Sequence, residues 1–232
     1  MRKIPCDECR SGHTKCEHAS RPFDDPRNNF TIKKEKGEKR DLLSSPIRVG
    51  VIDIETTGLD ASFGRVLCGV SMLFSPDETI IRRADQYDDW DSGRRSSDKG
   101  LVEAILLDLE KCDIVIGHNA TYFDLPFLRT RALIHGLNPV HPKKIFDPVL
   151  LARKVFRFHS NSLDSISNVL GTGDVKTKLA PKVWVRAMFD GDVAALDEVV
   201  EHCIMDVRVL TEIADKMSPY IRQLDNLGSW RS

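Results

Sequence analysis

Two carboxylates lie two residues apart at the end of an apolar stretch. Asp53 and Glu55 belong to the segment RVGVIDIETTGL, which spans residues 48–59. Its β-branched residues predict a buried strand, and side chains two apart on a strand point to the same face. Two such carboxylates repel each other unless a cation lies between them, and a divalent ion with oxygen ligands is a common solution. The pair therefore predicts a metal site, with solvated acids at a strand end as the simpler alternative. Thr56, Thr57 and Gly58 predict a turn that leaves this strand end open to a ligand.

Further acids and one histidine occur at places where they could join this pair. Asp124 lies at or near the predicted start of a helix that runs to His135, where the helix dipole favours an acid even without a function. His202 and Asp206 are four residues apart in a long amphipathic segment, so they share one helix face. A histidine has an ordinary pKa near neutral and can act as a general base, although a solvent-facing histidine is the simpler interpretation.

The elements that would position these residues follow from hydrophobic periodicity. Strands are predicted over the first segment and at 65–74, 78–83, 113–117 and 144–147. Helices are predicted at 99–111, 124–135, 148–156, 163–170 and 192–217, with Ser162 as a cap. Residues 84–98 and 171–181 are predicted to be polar loops. Because the first three strands are close in sequence, we expect them to pair antiparallel.

Three segments resemble, in order, the motifs of a known family. The family is the DEDD (DnaQ-like) 3′-5′ exonuclease superfamily, and its three motifs resemble, in order, DIETTGL, GHNATYFDLPFL and the His202–Asp206 pair. Members of its tyrosine subclass carry Tyr-x3-Asp in the third motif, and this chain has that spacing with a histidine in place of the tyrosine. The resemblance covers residues 46 to 217. It implies an α/β, ribonuclease H-like fold with a mixed sheet, three antiparallel strands and then parallel strands, flanked by helices.

The resemblance also implies a function and a set of site residues. Two Mg²⁺ or Mn²⁺ ions would be held by Asp53, Glu55, Asp124 and Asp206, with His202 and Glu55 orienting the attacking water. Asp147, at the end of a predicted strand, would shape the site without binding metal. The expected reaction is 3′-5′ hydrolysis of single-stranded nucleic acid with a free 3′ end, DNA being favoured over RNA, to nucleoside 5′-monophosphates. Substrate contacts are implied for Thr56, Thr57, Gly58, Leu59, Asn119 and Phe123.

The N-terminus carries a second candidate metal site with different ligands. Thiols and imidazoles follow the spacing C-x2-C-x3-H-x2-C-x-H in a segment that is poor in apolar residues, at Cys6, Cys9, His13, Cys16 and His18. This pattern predicts one structural Zn²⁺ with three cysteine ligands and either His13 or His18 as the fourth. A cysteine-bearing disordered tail and a redox role are the alternatives. The segment resembles a compressed zinc knuckle, which implies contact with nucleic acid. The predicted organisation is a zinc-binding segment at 1–20, a charged linker at 21–45 and an exonuclease domain at 46–232.

Composition indicates an ordinary soluble protein. The chain is 41% hydrophobic and 30% charged, with a net charge of −1. Residues 1–46 carry 11 Lys and Arg against 8 Asp and Glu, whereas the remainder carries 23 against 27. No apolar run reaches the roughly 20 residues that span a bilayer, and the N-terminus lacks a secretory signal. We therefore expect no membrane contact and a cytoplasmic protein, with nucleoid or nucleus as other intracellular sites. Cys68, Cys112 and Cys203 are expected to be buried free thiols.

Two other functions are consistent with these patterns. The chain could be a non-catalytic nucleic-acid-binding module, but the presence of all four acids argues against it. It could also be an accessory subunit that docks a polymerase or another replication or repair protein, with trimming as a secondary activity.

Overall fold

The structure is a computed structural model that describes residues 47–74, 78–90, 97–138, 140, 144–172 and 179–221. The predicted zinc ligands, from Cys6 to His18, and the charged linker lie outside the described residues. Within them, the chain forms an α/β fold whose sheet has the strand order β3-β2-β1-β4-β5. The strands are β1 (Val49–Thr56), β2 (Val66–Phe74), β3 (Glu78–Arg83), β4 (Ile114–Ile116) and β5 (Lys144–Phe146).

The sheet is mixed, as the sequence predicts. β1 pairs antiparallel with β2, and β2 pairs antiparallel with β3. β4 lies parallel to β1, and β5 lies parallel to β4. The short links between the first three strands favour antiparallel hairpins, whereas β4 and β5 each follow a helix that returns the chain to the same end of the sheet.

Helices cover both faces of this sheet. They are α1 (Lys99–Glu110), α2 (Asp124–His135), α3 (Pro148–Val155), α4 (Leu163–Leu170), α5 (Pro181–Phe189) and α6 (Val193–Met217). Ser162 caps α4, since its side chain accepts a hydrogen bond from the Ser165 N–H. Helix α5 was not predicted. It begins at Pro181, a residue that suits the first turn of a helix because its missing N–H would have no intrahelical partner there.

Alternate residues of β1 serve two separate cores. Val49 and Val51 pack in the core that contains α6, together with Cys203 and Val207. Ile52 belongs to the other core, which α1 and α2 cover. Side chains on a strand alternate between faces, so the odd-numbered residues that follow Val51 continue the row that faces α6. This alternation determines which helix the carboxylates of β1 meet.

The predicted loop at 84–98 differs from the structure in two respects. Ala84–Gln86 forms a turn of 3-10 helix. At the other end of the segment, the Asp98 side chain is fully buried and makes an ion pair with Arg131 and one with His135. A polar loop was predicted because Asp98 follows a polar run, and its partners are more than thirty residues away.

Two further expectations concern buried thiols and the membrane. Cys68, Cys112 and Cys203 are buried and free, as predicted. None of the helices in the described part of the chain is long and apolar enough to cross a membrane.

Candidate active site

Strand β1 places the first two carboxylates beside α6. Asp53 and Glu55 follow Val49 and Val51 on the same face of the strand, and both side chains are half-buried. Between Glu55 and Thr56 the pairing with β2 shifts by one residue, just before β1 ends at Thr56. The two carboxylates therefore lie at the edge of the core, between packed apolar side chains and the turn that follows β1.

Helix α6 brings a histidine and a third carboxylate to this pair. His202 Nε2 lies 3.8 Å from Glu55 Oε1 and 4.0 Å from Asp206 Oδ2. Both distances are within the range of an ion pair and longer than a direct hydrogen bond. His202 is 8% exposed and Asp206 is 6% exposed, so the interpretation of His202 as a solvent-facing histidine is wrong. One turn of helix separates the two residues, which explains why their side chains lie close to each other.

Helix α2 contributes the fourth carboxylate at a place where β1 has no neighbouring strand on one side. β4 pairs with β1 only from Val49 to Val51, so the later residues of β1 have no strand on that side. There the Ile54 N–H donates a hydrogen bond to Asp124 Oδ1 at 3.2 Å. Asp124 is the first residue of α2 and is 3% exposed. A side-chain carboxylate thus satisfies a strand amide that would otherwise be buried without a partner.

The charges of the four carboxylates act on one another. Burial raises the pKa of Asp53 well above its usual value, and the charges of Asp124, Glu55 and Asp206 raise it further. A hydrogen bond from the Cys203 thiol opposes this rise in the pKa of Asp53. Burial raises the pKa of Asp124 to about 7, although hydrogen bonds from backbone N–H groups, including that of Ile54, lower it. Residues from β1, α2 and α6 therefore form a single electrostatic group in which negative charge is disfavoured.

Asp147 organises the turn that leads to Asp124. Its side chain caps α3 by accepting a hydrogen bond from the Val149 N–H at 3.0 Å. The same carboxylate accepts hydrogen bonds from the N–H groups of Asn119, at 3.0 Å, and Thr121, at 3.2 Å. Asn119 has a φ of 64°, a left-handed conformation that asparagine tolerates better than most residues. Asp147 therefore holds the backbone of the second motif in place.

Sequence comparison identifies the family of this arrangement. A model of the RNase_H superfamily matches residues 51–218, which is more than half of the chain and includes all four carboxylates. The chain belongs to the RNase_H superfamily. No match is found among curated protein sequences.

A solved structure with a similar fold is that of the family B DNA polymerase from the hyperthermophilic archaeon Pyrobaculum calidifontis. It shares 20% sequence identity with this RNase_H superfamily chain at a TM-score of 0.57. The similarity covers 77% of this chain and 25% of the polymerase chain, so this protein corresponds to about a quarter of that polymerase. At this identity the similarity concerns the fold.

The donor set of this RNase_H superfamily domain fits a divalent cation. RNase H-like nucleases generally use divalent metal ions. As the side chains stand, no group of three or more His, Cys, Asp or Glu within the described residues is arranged to hold a metal ion. The chemistry nevertheless suits one, because the pKa of Asp53 is raised by burial and by three other carboxylates, and oxygen donors are the ligands that Mg²⁺ and Mn²⁺ prefer.

The residues predicted to contact substrate surround the end of β1 and the turn before α2. The Thr56 hydroxyl donates to the Gly58 carbonyl at 2.8 Å, which forms the predicted turn. Thr57 then closes the loop, since its N–H donates to the Arg65 carbonyl and its hydroxyl accepts from the Arg65 N–H. Leu59 is 86% exposed at the tip of this turn.

On the other side of the site, Phe123 is half-buried and packs on Phe127, with ring centroids 5.7 Å apart. Asn119 lies in the same turn, where its carbonyl accepts hydrogen bonds from the N–H groups of Tyr122 and Phe123. The structure thus brings the two predicted substrate segments to neighbouring parallel strands, β1 and β4, at the ends from which their loops leave.

Sequence analysis missed two neighbours of the site. Trp184, on α5, lies edge-on to the His202 ring, with centroids 6.4 Å apart. Cys203 hydrogen-bonds Asp53, although the sequence indicated only a buried thiol. A helix prediction at 181–189 would have been needed to consider Trp184, and no local pattern pairs Cys203 with Asp53, which is 150 residues away.

A buried ion network supports the loop that follows β1. The Arg131 guanidinium binds both carboxylate oxygens of Asp98, and Asp98 also accepts a hydrogen bond from the Val66 N–H at 2.8 Å. Arg131 Nη1 donates to the Ala61 carbonyl at 3.1 Å, within the loop between Thr57 and Arg65. The pKa of Asp98 is lowered by these bonds despite its burial, with Arg131 the strongest contributor. The network therefore connects α2 to the loop that carries Leu59.

Proposed function

We propose that this domain is a metal-dependent 3′-5′ exonuclease that hydrolyses single-stranded nucleic acid to nucleoside 5′-monophosphates. One observation carries the proposal: carboxylates from β1, α2 and α6 raise the pKa of Asp53 together, on a fold of the RNase_H superfamily. Such a group is costly to keep charged without a cation, and phosphodiester hydrolysis is a reaction that paired divalent ions promote. The order of the three motifs supports assignment to the DEDD exonucleases, closest to the tyrosine subclass.

Two Mg²⁺ or Mn²⁺ ions would be held by Asp53, Glu55, Asp124 and Asp206. When bound, such ions lower the pKa of the attacking water and stabilise the leaving 3′ oxygen. Asp147 acts on this set through the backbone of residues 119 and 121. Its role is to hold the turn from which Asp124 starts α2.

His202 is proposed to act on the nucleophile. Its Nε2 faces Glu55 and Asp206 from a largely buried position. The imidazole is therefore within reach of a water molecule that lies beside Glu55. The neutral ring accepts the proton of this water while Glu55 orients its oxygen toward phosphorus. The new P–O bond forms as the bond to the 3′ oxygen breaks, and the terminal nucleotide leaves as a 5′-monophosphate. Trp184 lies edge-on to this ring.

The substrate is proposed to be a single strand with a free 3′ end, with DNA favoured over RNA. Leu59 is exposed at the tip of the turn after Glu55, where an apolar side chain can contact the face of a terminal base. The rest of the proposed binding surface lies in the two turns beside the carboxylates. It consists of Thr56, Thr57, Gly58, Asn119 and Phe123.

The N-terminal residues are proposed to form a zinc-binding segment at 1–20 and a charged linker at 21–45. Cys6, Cys9 and Cys16 with His13 or His18 would bind one structural Zn²⁺. The metal content of purified protein tests this, since one equivalent of zinc is expected and Cys9→Ser should lose it. Association with a polymerase or another replication or repair protein is compatible with the fold similarity and can be tested by co-purification.

The decisive experiment is degradation of matched 5′-labelled single-stranded DNA and RNA with Mg²⁺ or Mn²⁺. A ladder that shortens from the 3′ end, and that both Asp53→Ala and a chelator abolish, is expected. Binding of either strand without shortening would refute the exonuclease. It would instead support a module that only binds nucleic acid.

A further inference from the structure

Two buried thiols lie directly beneath the carboxylates of β1. Cys203 Sγ is 3.4 Å from Asp53 Oδ2 and 3.4 Å from the Asp53 carbonyl oxygen. The Cys68 thiol hydrogen-bonds Cys203, and Cys68 is the cross-strand partner of Glu55. Both cysteines have 0% exposure. A thiol is a weak donor, but a hydrogen bond in a buried site is electrostatically stronger than the same bond in water.

We infer that Cys203 is a positioning residue that fixes the orientation of the Asp53 carboxylate by donating its S–H to Oδ2. The inference rests on the proposed function, because it assigns Asp53 a role in binding divalent ions. Asp53 lies at the edge of the core, and a hydrogen bond from this thiol favours one orientation of its carboxylate. Loss of a group that orients a metal ligand typically costs roughly 10–100-fold in ion affinity or activity.

Cys203 also links the two helix residues of the site to β1. It follows His202 directly and lies in the α6 core beside Cys68. Its thiol thus anchors the carboxylate of β1 to the helix that carries His202 and Asp206. A purely packing role would require only a small apolar group at this position, whereas the positioning role requires a donor.

Replacing Cys203 by valine or serine separates these two roles. Cys203→Val keeps an apolar side chain and removes the donor, whereas Cys203→Ser keeps a donor in a smaller side chain. We expect Cys203→Val to weaken Mn²⁺ binding roughly 10-fold, the scale seen for outer partners of metal ligands, and Cys203→Ser to stay close to the wild type. Cys203→Ala, which also lacks the donor, should follow Cys203→Val if the valine variant does not fold.

The readout is the amount of free Mn²⁺ measured by electron paramagnetic resonance, with circular dichroism to establish folding. Cys112→Ala serves as the matched control, since this buried thiol belongs to the other core and donates to the Asp108 carbonyl. Its Mn²⁺ affinity should equal that of the wild type. Equal affinity of all Cys203 variants, or weaker binding by serine than by valine, would overturn this inference alone. Absence of Mn²⁺ binding by the wild type would overturn the proposed function with it.

Discussion

His202 Nε2 lies 3.8 Å from Glu55 Oε1, across the interface between α6 and β1. This separation places the imidazole within ion-pair range of a carboxylate. A group placed in this way can take a proton from a water molecule that Glu55 orients. The pairing supports the proposed role of this histidine as the general base.

Removal of this imidazole should slow the reaction more than it weakens ion binding. We expect His202→Phe to lower kcat by roughly 100-fold, the lower range for loss of a general base. His202→Tyr restores a polar group at the tyrosine spacing and should recover part of the rate. Single-turnover degradation of a labelled DNA strand measures both, and Mn²⁺ titration provides the control. Unchanged kcat in His202→Phe would remove this residue from the mechanism.

The raised pKa of Asp124 predicts how the metal-free protein responds to pH. Its folded pKa is about 7, above the ordinary value of 3.8, so the folded state binds more protons than the unfolded state between these values. The contribution of Asp124 to the free energy of unfolding is therefore largest at low pH and is lost as pH rises toward 7. Urea unfolding between pH 5 and pH 8 should show a smaller decline in Asp124→Asn than in the wild type.

Added Mn²⁺ should reverse this effect. At pH 8 the ion meets an ionised carboxylate, whereas at pH 5 it must displace a proton. The rise in melting temperature on addition of Mn²⁺ should thus be larger at pH 8, and Asp124→Asn should reduce it. An equal rise at both pH values would contradict the assignment of Asp124 to the ion-binding group.

Loss of Asp147 should reduce both stability and activity. Asp147→Ala removes a helix cap and leaves the N–H groups of Asn119 and Thr121 without their acceptor, at a cost of roughly 1–3 kcal/mol of unfolding free energy. Ser162→Ala, which removes the cap of α4, is the control. It should cost about 1 kcal/mol and leave kcat unchanged. If Asp147→Ala loses stability alone, then Asp147 is a structural cap without influence on the second motif.

Leu59 is expected to contact the terminal base of the substrate. Leu59→Ala should raise KM for single-stranded DNA with little change in stability, because the side chain is 86% exposed. Leu133→Ala is the matched control, since Leu133 is 81% exposed on α2 and is not in the proposed binding surface. Equal KM values for the two variants would exclude Leu59 from substrate binding.

The Asp98–Arg131 pair should be important for folding. Arg131→Met leaves the buried Asp98 carboxylate without its main partner, which typically costs roughly 3–5 kcal/mol. Arg82→Met disrupts a second pair, with Asp108, in which the arginine is 34% exposed, and should cost less. Chemical denaturation of the two variants tests this order.

Local pattern was sufficient for much of the fold. The bounds of β3 and α4 and the last residue of α2 were predicted to the residue, since each element is short, periodic and ended by glycine, a polar cap or a turn. The same pattern brought Asp53 and Glu55 to one face of a strand, and His202 and Asp206 to one face of a helix. These relations depend only on the repeat of two residues in a strand and of 3.6 in a helix.

Only the tertiary structure decided which residues of different helices and strands contact one another. The contacts of Cys203 with Asp53, of Trp184 with His202 and of Arg131 with Asp98 join residues far apart or in an element that was not predicted. No local periodicity encodes such pairs, because they depend on where β4 ends and on how α5 and α6 pack against the sheet. The sequence by itself determined the chemical groups and the faces that carry them, and packing determined their distances, burial and mutual electrostatics.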